Sequence, residues 1–164
     1  MSLLKQDFFT INNIPVILWG EKSNKIIIAI HGMMSNKADI PIEILAKISI
    51  KYGYQVLSFD LPKHGERKNE MIPLTPQVCV KELNNIYEKL QKNWEEISLF
   101  ANSLGAYFSL LSYKDKKIEN INLIGGMTNK NYLITIDGKK YVLRNPGAGT
   151  KEMISRDSEA KNAQ

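Results

Sequence analysis

The period of apolar and polar positions changes several times along the chain, and each change predicts an element. Two short apolar runs, Phe8 to Ile11 and Ile14 to Trp19, flank Asn12-Asn13. Asparagine accepts the positive φ of a two-residue turn, so the pair predicts a hairpin. Pro15 has no N–H for a ladder, which puts that hairpin at a sheet edge. Lys25 to His31 is a continuous β-branched run, the pattern of a strand buried on both faces of a parallel sheet. Pro41 suits a first helical turn, and Ile42, Leu45, Ala46 and Ile48 give that helix an apolar stripe. Gly53 stands where a C-terminal cap is expected. Gln55 to Asp60 is a second buried strand. Thr75 and Pro76 mark the next helix start, with Leu83, Ile86, Tyr87 and Leu90 at helical spacing behind them. Glu96 to Ala101 is a third buried strand, followed by a stripe of Leu104, Tyr107, Phe108 and Leu111.

Strands alternating with helices at this spacing predict a doubly wound α/β domain with a mostly parallel sheet. The pattern changes near residue 120. Ile121 to Ile124 can still form a strand, but Gly125-Gly126 ends it. Tyr132 to Ile136 and Lys140 to Arg144 flank Asp137-Gly138, a strong two-residue hairpin signal. Pro146, Gly147 and Gly149 read as a loop, and Thr150 as the cap of a final helix carrying Met153 and Ile154. The expected fold class is therefore α/β with a C-terminal antiparallel hairpin and helix. No internal repeat or low-complexity tract interrupts it.

Composition narrows the classes. The chain has 164 residues, 43% apolar and 24% charged, as in an ordinary globular domain. The longest apolar run, Ile26 to Ile30, falls far short of the roughly 20 residues that span a bilayer. The N-terminus lacks a signal peptide's long apolar core. No membrane association is expected. Cys79 is the one cysteine, so no internal disulfide can form and a cytoplasmic location is the simplest expectation. The net charge of +5 divides into +2 over residues 1–119 and +3 over the rest, with no dense basic stripe interleaved with aromatics. This reads as solvated surface, and no nucleic-acid partner is expected.

The chemistry centres on Ala101-Asn102-Ser103-Leu104-Gly105, which lies between a buried strand and an amphipathic helix. This is the Gly-x-Ser-x-Gly nucleophile elbow with Ala101 in place of the first glycine. Small residues are needed because strand and helix nearly touch at the turn. A serine that merely caps a helix is the plainer alternative. Ile30-His31-Gly32-Met33 ends the first buried strand, where backbone N–H groups can face a developing oxyanion. His31 reads as the residue that orders this oxyanion loop; a catalytic base is the alternative reading. A third segment is Phe59-Asp60-Leu61-Pro62-Lys63-His64-Gly65-Glu66-Arg67. Together the three motifs resemble the α/β-hydrolase superfamily over roughly residues 8–120. The resemblance implies Ser103 as nucleophile, the N–H groups of Met33 and Leu104 as the oxyanion hole, and His31, Gly32 and Gly105 in support. It gives His64 a structural role. The implied substrate is a small-molecule acyl ester, thioester or amide, with no cofactor and no metal. The family's chain order is Ser, then Asp or Glu, then His. Both histidines of this sequence precede Ser103, and Asp115 and Glu119 follow it too closely to serve as the acid. Impaired hydrolysis is therefore expected.

Residues 121–164 show a second resemblance, which divides the chain into 1–120 and 121–164. Leu123 to Tyr132 and Lys140 to Gly147 are similar to the opening of bacterial choline kinases. That resemblance implies a phosphate loop over Gly125 to Asn131, including Gly125, Gly126, Thr128 and Asn129, with Arg144 in the role of the kinase strand lysine and Glu159 as its helix partner. ATP with Mg would be the cofactor only if such a segment were completed. From spacing alone, Gly125-Gly126 is a turn and Arg144 a surface residue. The alternatives to a hydrolase are thus a nucleotide-binding fragment, or a chimera of two truncated genes with neither activity.

Overall fold

The computed structural model describes residues 4–119 with their side chains, and the backbone of three further strands, 121–124, 129–136 and 139–146. The expected N-terminal hairpin is present. Strand β1 (Gln6–Ile11) pairs antiparallel with β2 (Ile14–Trp19), and Asn12 and Asn13 take φ of 50° and 67° at the turn. Pro15 lies at the second position of β2, before that strand's pairing with the next one begins at Val16, so no ladder bond is lost.

Strands β3 (Lys25–Ile30), β4 (Gln55–Phe59), β5 (Glu96–Asn102) and β6 (Ile121–Ile124) complete a six-stranded sheet of order β1-β2-β4-β3-β5-β6. The β3–β4, β3–β5 and β5–β6 pairs are parallel; β2 joins β4 antiparallel. This is the mostly parallel sheet that the continuous apolar runs predict. Every residue of β4 is buried, as a strand covered on both faces requires.

Helices cover both faces. Helix α1 (Ile40–Ser49) begins at Asp39, whose carboxylate accepts the Ile40 N–H, with Pro41 in its first turn. Its Ile42 and Ala46 pack on Ile17, Trp19, Ala29, Val56 and Phe100. A 3₁₀ turn follows it and ends at Gly53, at φ 76°. Helices α2 (Pro76–Leu90) and α3 (Leu104–Tyr113) lie on the opposite face. Thr75 caps α2 by accepting the Val78 N–H, and Leu83, Ile86, Tyr87 and Leu90 enter the larger core beside Ile26, Ile28 and Ile30.

Two helical stripes differ from the sequence expectation. In α1 the inner face runs Ile42, Ala46, Ser49, and Ile48 is left half-exposed about 100° around the helix from Ser49. In α3 the buried face is Gly105, Ala106, Phe108, Ser109, Ser112 and Tyr113, while Tyr107 and Leu111 are exposed. The close approach of Gly105 to β3 sets the phase of α3. The two buried serines are tolerated because each hydroxyl donates to its own helix, Ser109 to Gly105 O and Ser112 to Phe108 O.

Strands β7 (Asn129–Ile136) and β8 (Lys139–Pro146) form a separate antiparallel pair, the hairpin expected around Asp137-Gly138. Asn129 opens β7, and Arg144 stands opposite Asn131 in β8. Gly125, Gly126, Thr128, Glu159 and the helix expected after Thr150 lie outside the described residues.

Candidate active site

Strand β5 ends at Asn102 and α3 starts at Leu104, so one residue makes the whole turn. Ser103 makes it at φ 48°, ψ −112°, a combination that costs an L-residue on the order of 1–3 kcal/mol and persists only where its surroundings enforce it. Two glycines do the enforcing. A Cβ on Gly105 would lie 2.5 Å from the His31 carbonyl oxygen and 2.8 Å from that of Ile30, so only glycine lets α3 approach the end of β3 this closely. A Cβ on Gly32 would lie 3.2 Å from the Ser103 Cβ and 3.3 Å from Asn102 O. Ala101, at the position of the motif's first glycine, is fully buried. The β3–α1 loop and the β5–α3 turn thus meet at the carboxyl edge of neighbouring parallel strands. Leu104, as the first residue of α3, has no intrahelical acceptor for its N–H, and Met33 directly follows Gly32.

His31 precedes Gly32 beside this turn, and the ring of His64 packs against the His31 ring. His31 Nδ1 is 2.7 Å from Gly32 O, and its Nε2 accepts the Leu61 N–H at 3.0 Å. These partners select the neutral tautomer with the proton on Nδ1. Burial pushes its pKa down, and His64, with its ring centroid 5.1 Å away, pushes the same way; the Gly32 carbonyl and the carboxylates of Asp60 and Asp39 oppose this only in part. His64 Nδ1 is 2.9 Å from Pro62 O. Both ring nitrogens of His31 are thus engaged, one with the β3–α1 loop and one with the loop that follows β4.

Beneath the loops lies a buried ionic network for which the sequence offered little signal. Asp60, with no exposed surface, accepts the Lys37 N–H at Oδ1 and the Glu66 N–H and Lys37 Nζ at Oδ2. Lys37 Nζ also contacts Glu66 at 2.5 Å. Burial pulls the Lys37 pKa down, but the carboxylates of Asp60 and Glu66 outweigh it and leave the ammonium above its usual range. Arg67, also buried, forks onto Glu82 at 2.7 and 2.8 Å, reaches Glu70 at 2.9 Å and donates to Asp60 O. The Asp60–Arg67 segment was legible as a motif. Lys37 was not, because a lysine in a polar loop reads as surface. Among the described residues no cluster of His, Cys, Asp and Glu is arranged to hold a metal ion.

Solved structures share this arrangement of strands and helices. TT1662 from Thermus thermophilus superposes with a TM-score of 0.62 at 20% identity, over 84% of this chain and 62% of its own. The α/β hydrolase GrgF from Penicillium gives 0.61 at 17% identity, over 77% and 47%. The fold is that of the α/β-hydrolases. The esterase Pf2001 of Pyrococcus furiosus, at a TM-score of 0.61 and 20% identity, matches 75% of this chain and 51% of its own length. The chain thus spans about half to three-fifths of the length of these α/β-hydrolase-fold neighbours. No protein-family model matches it. A stretch of 39 residues, 24% of the chain, is 54% identical to protein LicA of Haemophilus influenzae and covers 12% of that protein.

Proposed function

We propose that this chain carries a serine acyl-transfer site of the α/β-hydrolase type, acting on a small-molecule ester, thioester or amide. The observation that carries the reading is Ser103 held at positive φ in a one-residue strand–helix turn with Gly32 packed on its Cβ. In this reading Ser103 Oγ attacks the acyl carbon and loses its proton. The N–H groups of Met33 and Leu104 receive the charge that develops on the carbonyl oxygen. The C–O, C–S or C–N bond breaks, the leaving group departs with a proton, and water later returns the acyl group as the free acid.

A serine hydroxyl is a weak nucleophile until a base takes its proton. His31 has both ring nitrogens engaged, and His64 holds Pro62 O with Nδ1. Acylation by activated esters should therefore be slow and release slower still. In serine hydrolases the oxyanion hole and binding alone keep about 10³–10⁴ over water, against a loss on the order of 10⁶ when the base is removed. A cytoplasmic setting fits the single buried thiol, Cys79; no helix among the described residues is long and apolar enough to cross a membrane.

The test pairs a fluorophosphonate label with nitrophenyl-ester hydrolysis. Label should enter the native chain at one site and be lost in Ser103→Ala, with turnover slow in the native chain and no faster in a His31/His64 double variant. Fast turnover that needs Ser103 and one of those histidines would show that this histidine acts as the base. Absence of any Ser103-dependent label would overturn the acyl-transfer reading.

A second reading is a choline-kinase-like nucleotide-binding fragment at residues 121–164 that uses Gly125, Gly126, Thr128, Asn129, Arg144 and Glu159; the 39-residue identity to LicA supports it. Phosphoryl transfer also needs metal ligands and a residue that orients the attacking hydroxyl. ATP binding without choline phosphorylation is the outcome expected of that fragment. Phosphorylation of choline that is lost on changing Arg144 would extend this reading to a complete kinase.

A further inference from the structure

We propose that Lys37 is a positioning residue for the Ser103 site, clamping the far end of the oxyanion loop onto the loop that follows β4. The inference rests on the acyl-transfer reading of Ser103. The loop leaves β3 at His31 and reaches α1 at Asp39. Its near end is tied across to the next loop by the Leu61 N–H, which His31 Nε2 accepts. Its far end is tied by every polar group of Lys37. The N–H donates to Asp60 Oδ1 at 2.9 Å, the carbonyl accepts the Ser58 hydroxyl at 2.7 Å, and Nζ donates to Asp60 at 2.6 Å and Glu66 at 2.5 Å. Trp19 Nε1 in turn donates to the Ser58 hydroxyl. Between the two ties lie Met33, the oxyanion residue, and Met34, held at φ 60°. The hydrogen bonds of Ser35, Asn36 and Asp39 stay within the loop and the start of α1, so they cannot fix it against the sheet.

Stability alone does not account for a lysine here. Replacing a buried ion pair by apolar side chains of similar volume is often neutral or stabilising. What the network adds is direction: four hydrogen bonds at one residue set where the preceding backbone runs, and with it the aim of the Met33 N–H. A misplacement of about 1 Å at such a donor can cost on the order of 100-fold in rate.

The test uses the full chain and the double variant Lys37→Met/Asp60→Asn, which removes both charges together, with Lys37→Met alone as a second variant. Ile86→Val, on the α2 face of the core, serves as a control for modest loss of stability. Fluorophosphonate labelling of Ser103 should slow by about 10- to 100-fold in the double variant and stay at the native rate in the control. The methyl signals of ¹³C-methionine at Met33 and Met34 should shift or broaden, while that of Met71 stays in place. Native-rate labelling with unmoved Met33 and Met34 signals would overturn the clamp and leave the acyl-transfer reading standing. If the native chain takes no label, that reading falls. The methionine signals then decide the clamp alone: movement upholds it as a loop anchor, and no movement overturns it.

Discussion

At the scale of single residues, the site is an arrangement of backbone approaches. Ser103 tolerates its positive φ because Gly105 brings α3 against the carbonyls of Ile30 and His31, and Gly32 brings the β3–α1 loop against Ser103 itself. His31 ties these loops together only while neutral, since a protonated Nε2 cannot accept the Leu61 N–H. Its folded pKa is depressed, chiefly by burial, so below its ordinary value of about 6.5 the unfolded chain binds a proton that the folded chain refuses. Stability from this group is present above that value and is lost as pH falls through it. His64, Asp60 and Asp39 are the charged or titratable groups that act on it. Melting temperature should drop as pH goes from about 7.5 to about 5.5, and the drop should be smaller in His31→Gln. Identical pH slopes in the two proteins would remove His31 from the account.

At the scale of elements, the segment from β4 to α2 carries no regular structure for most of its length, yet it is anchored by charge. Arg67 sits in a 3₁₀ turn with its guanidinium buried, paired to Glu82 on α2 and to Glu70, and bonded to the Asp60 carbonyl. Breaking such a pair from one side leaves a carboxylate uncompensated at low exposure, a loss of about 3–5 kcal/mol. Arg67→Met should lower stability to urea by that order, and Arg67→Met/Glu82→Met should recover part of it. A loss below about 1 kcal/mol for Arg67→Met would mean that water already reaches the pair. α3 shows a different lesson. Its apolar residues Tyr107 and Leu111 face outward while Ser109 and Ser112 are buried, because the helix takes its rotational phase from Gly105 at the elbow.

At the scale of the whole molecule, the chain contains a six-stranded sheet covered on both faces and a separate two-stranded pair. Two strands alone are marginal in water, whereas β3, β4 and β5 are interior strands paired on both sides. Amide exchange should therefore be slowest in β3–β5 and distinctly faster in residues 129–146. Equal protection in both regions would show that the hairpin is an integral part of the larger core.

The parallel sheet, its three buried strands and the serine turn were legible in the sequence because each has a local cause. Continuous β-branched runs allow few alternatives to a strand covered on both faces, and small residues flanking a serine between strand and helix permit the tight turn there. Helix starts were legible for the same reason, at Pro41 and at Thr75-Pro76. Only the tertiary structure decided the rest. Apolar periodicity could not tell which face of α3 turns inward, because a steric contact outside the helix selects it. Nor could it find Lys37, whose burial depends on Asp60 and Glu66, carboxylates 23 and 29 residues away that meet it only once β3 and β4 lie side by side. Local sequence determined which elements form and where Ser103 stands. Long-range contact decided how the loops around Ser103 are aimed, since aim depends on atoms that become neighbours only through folding.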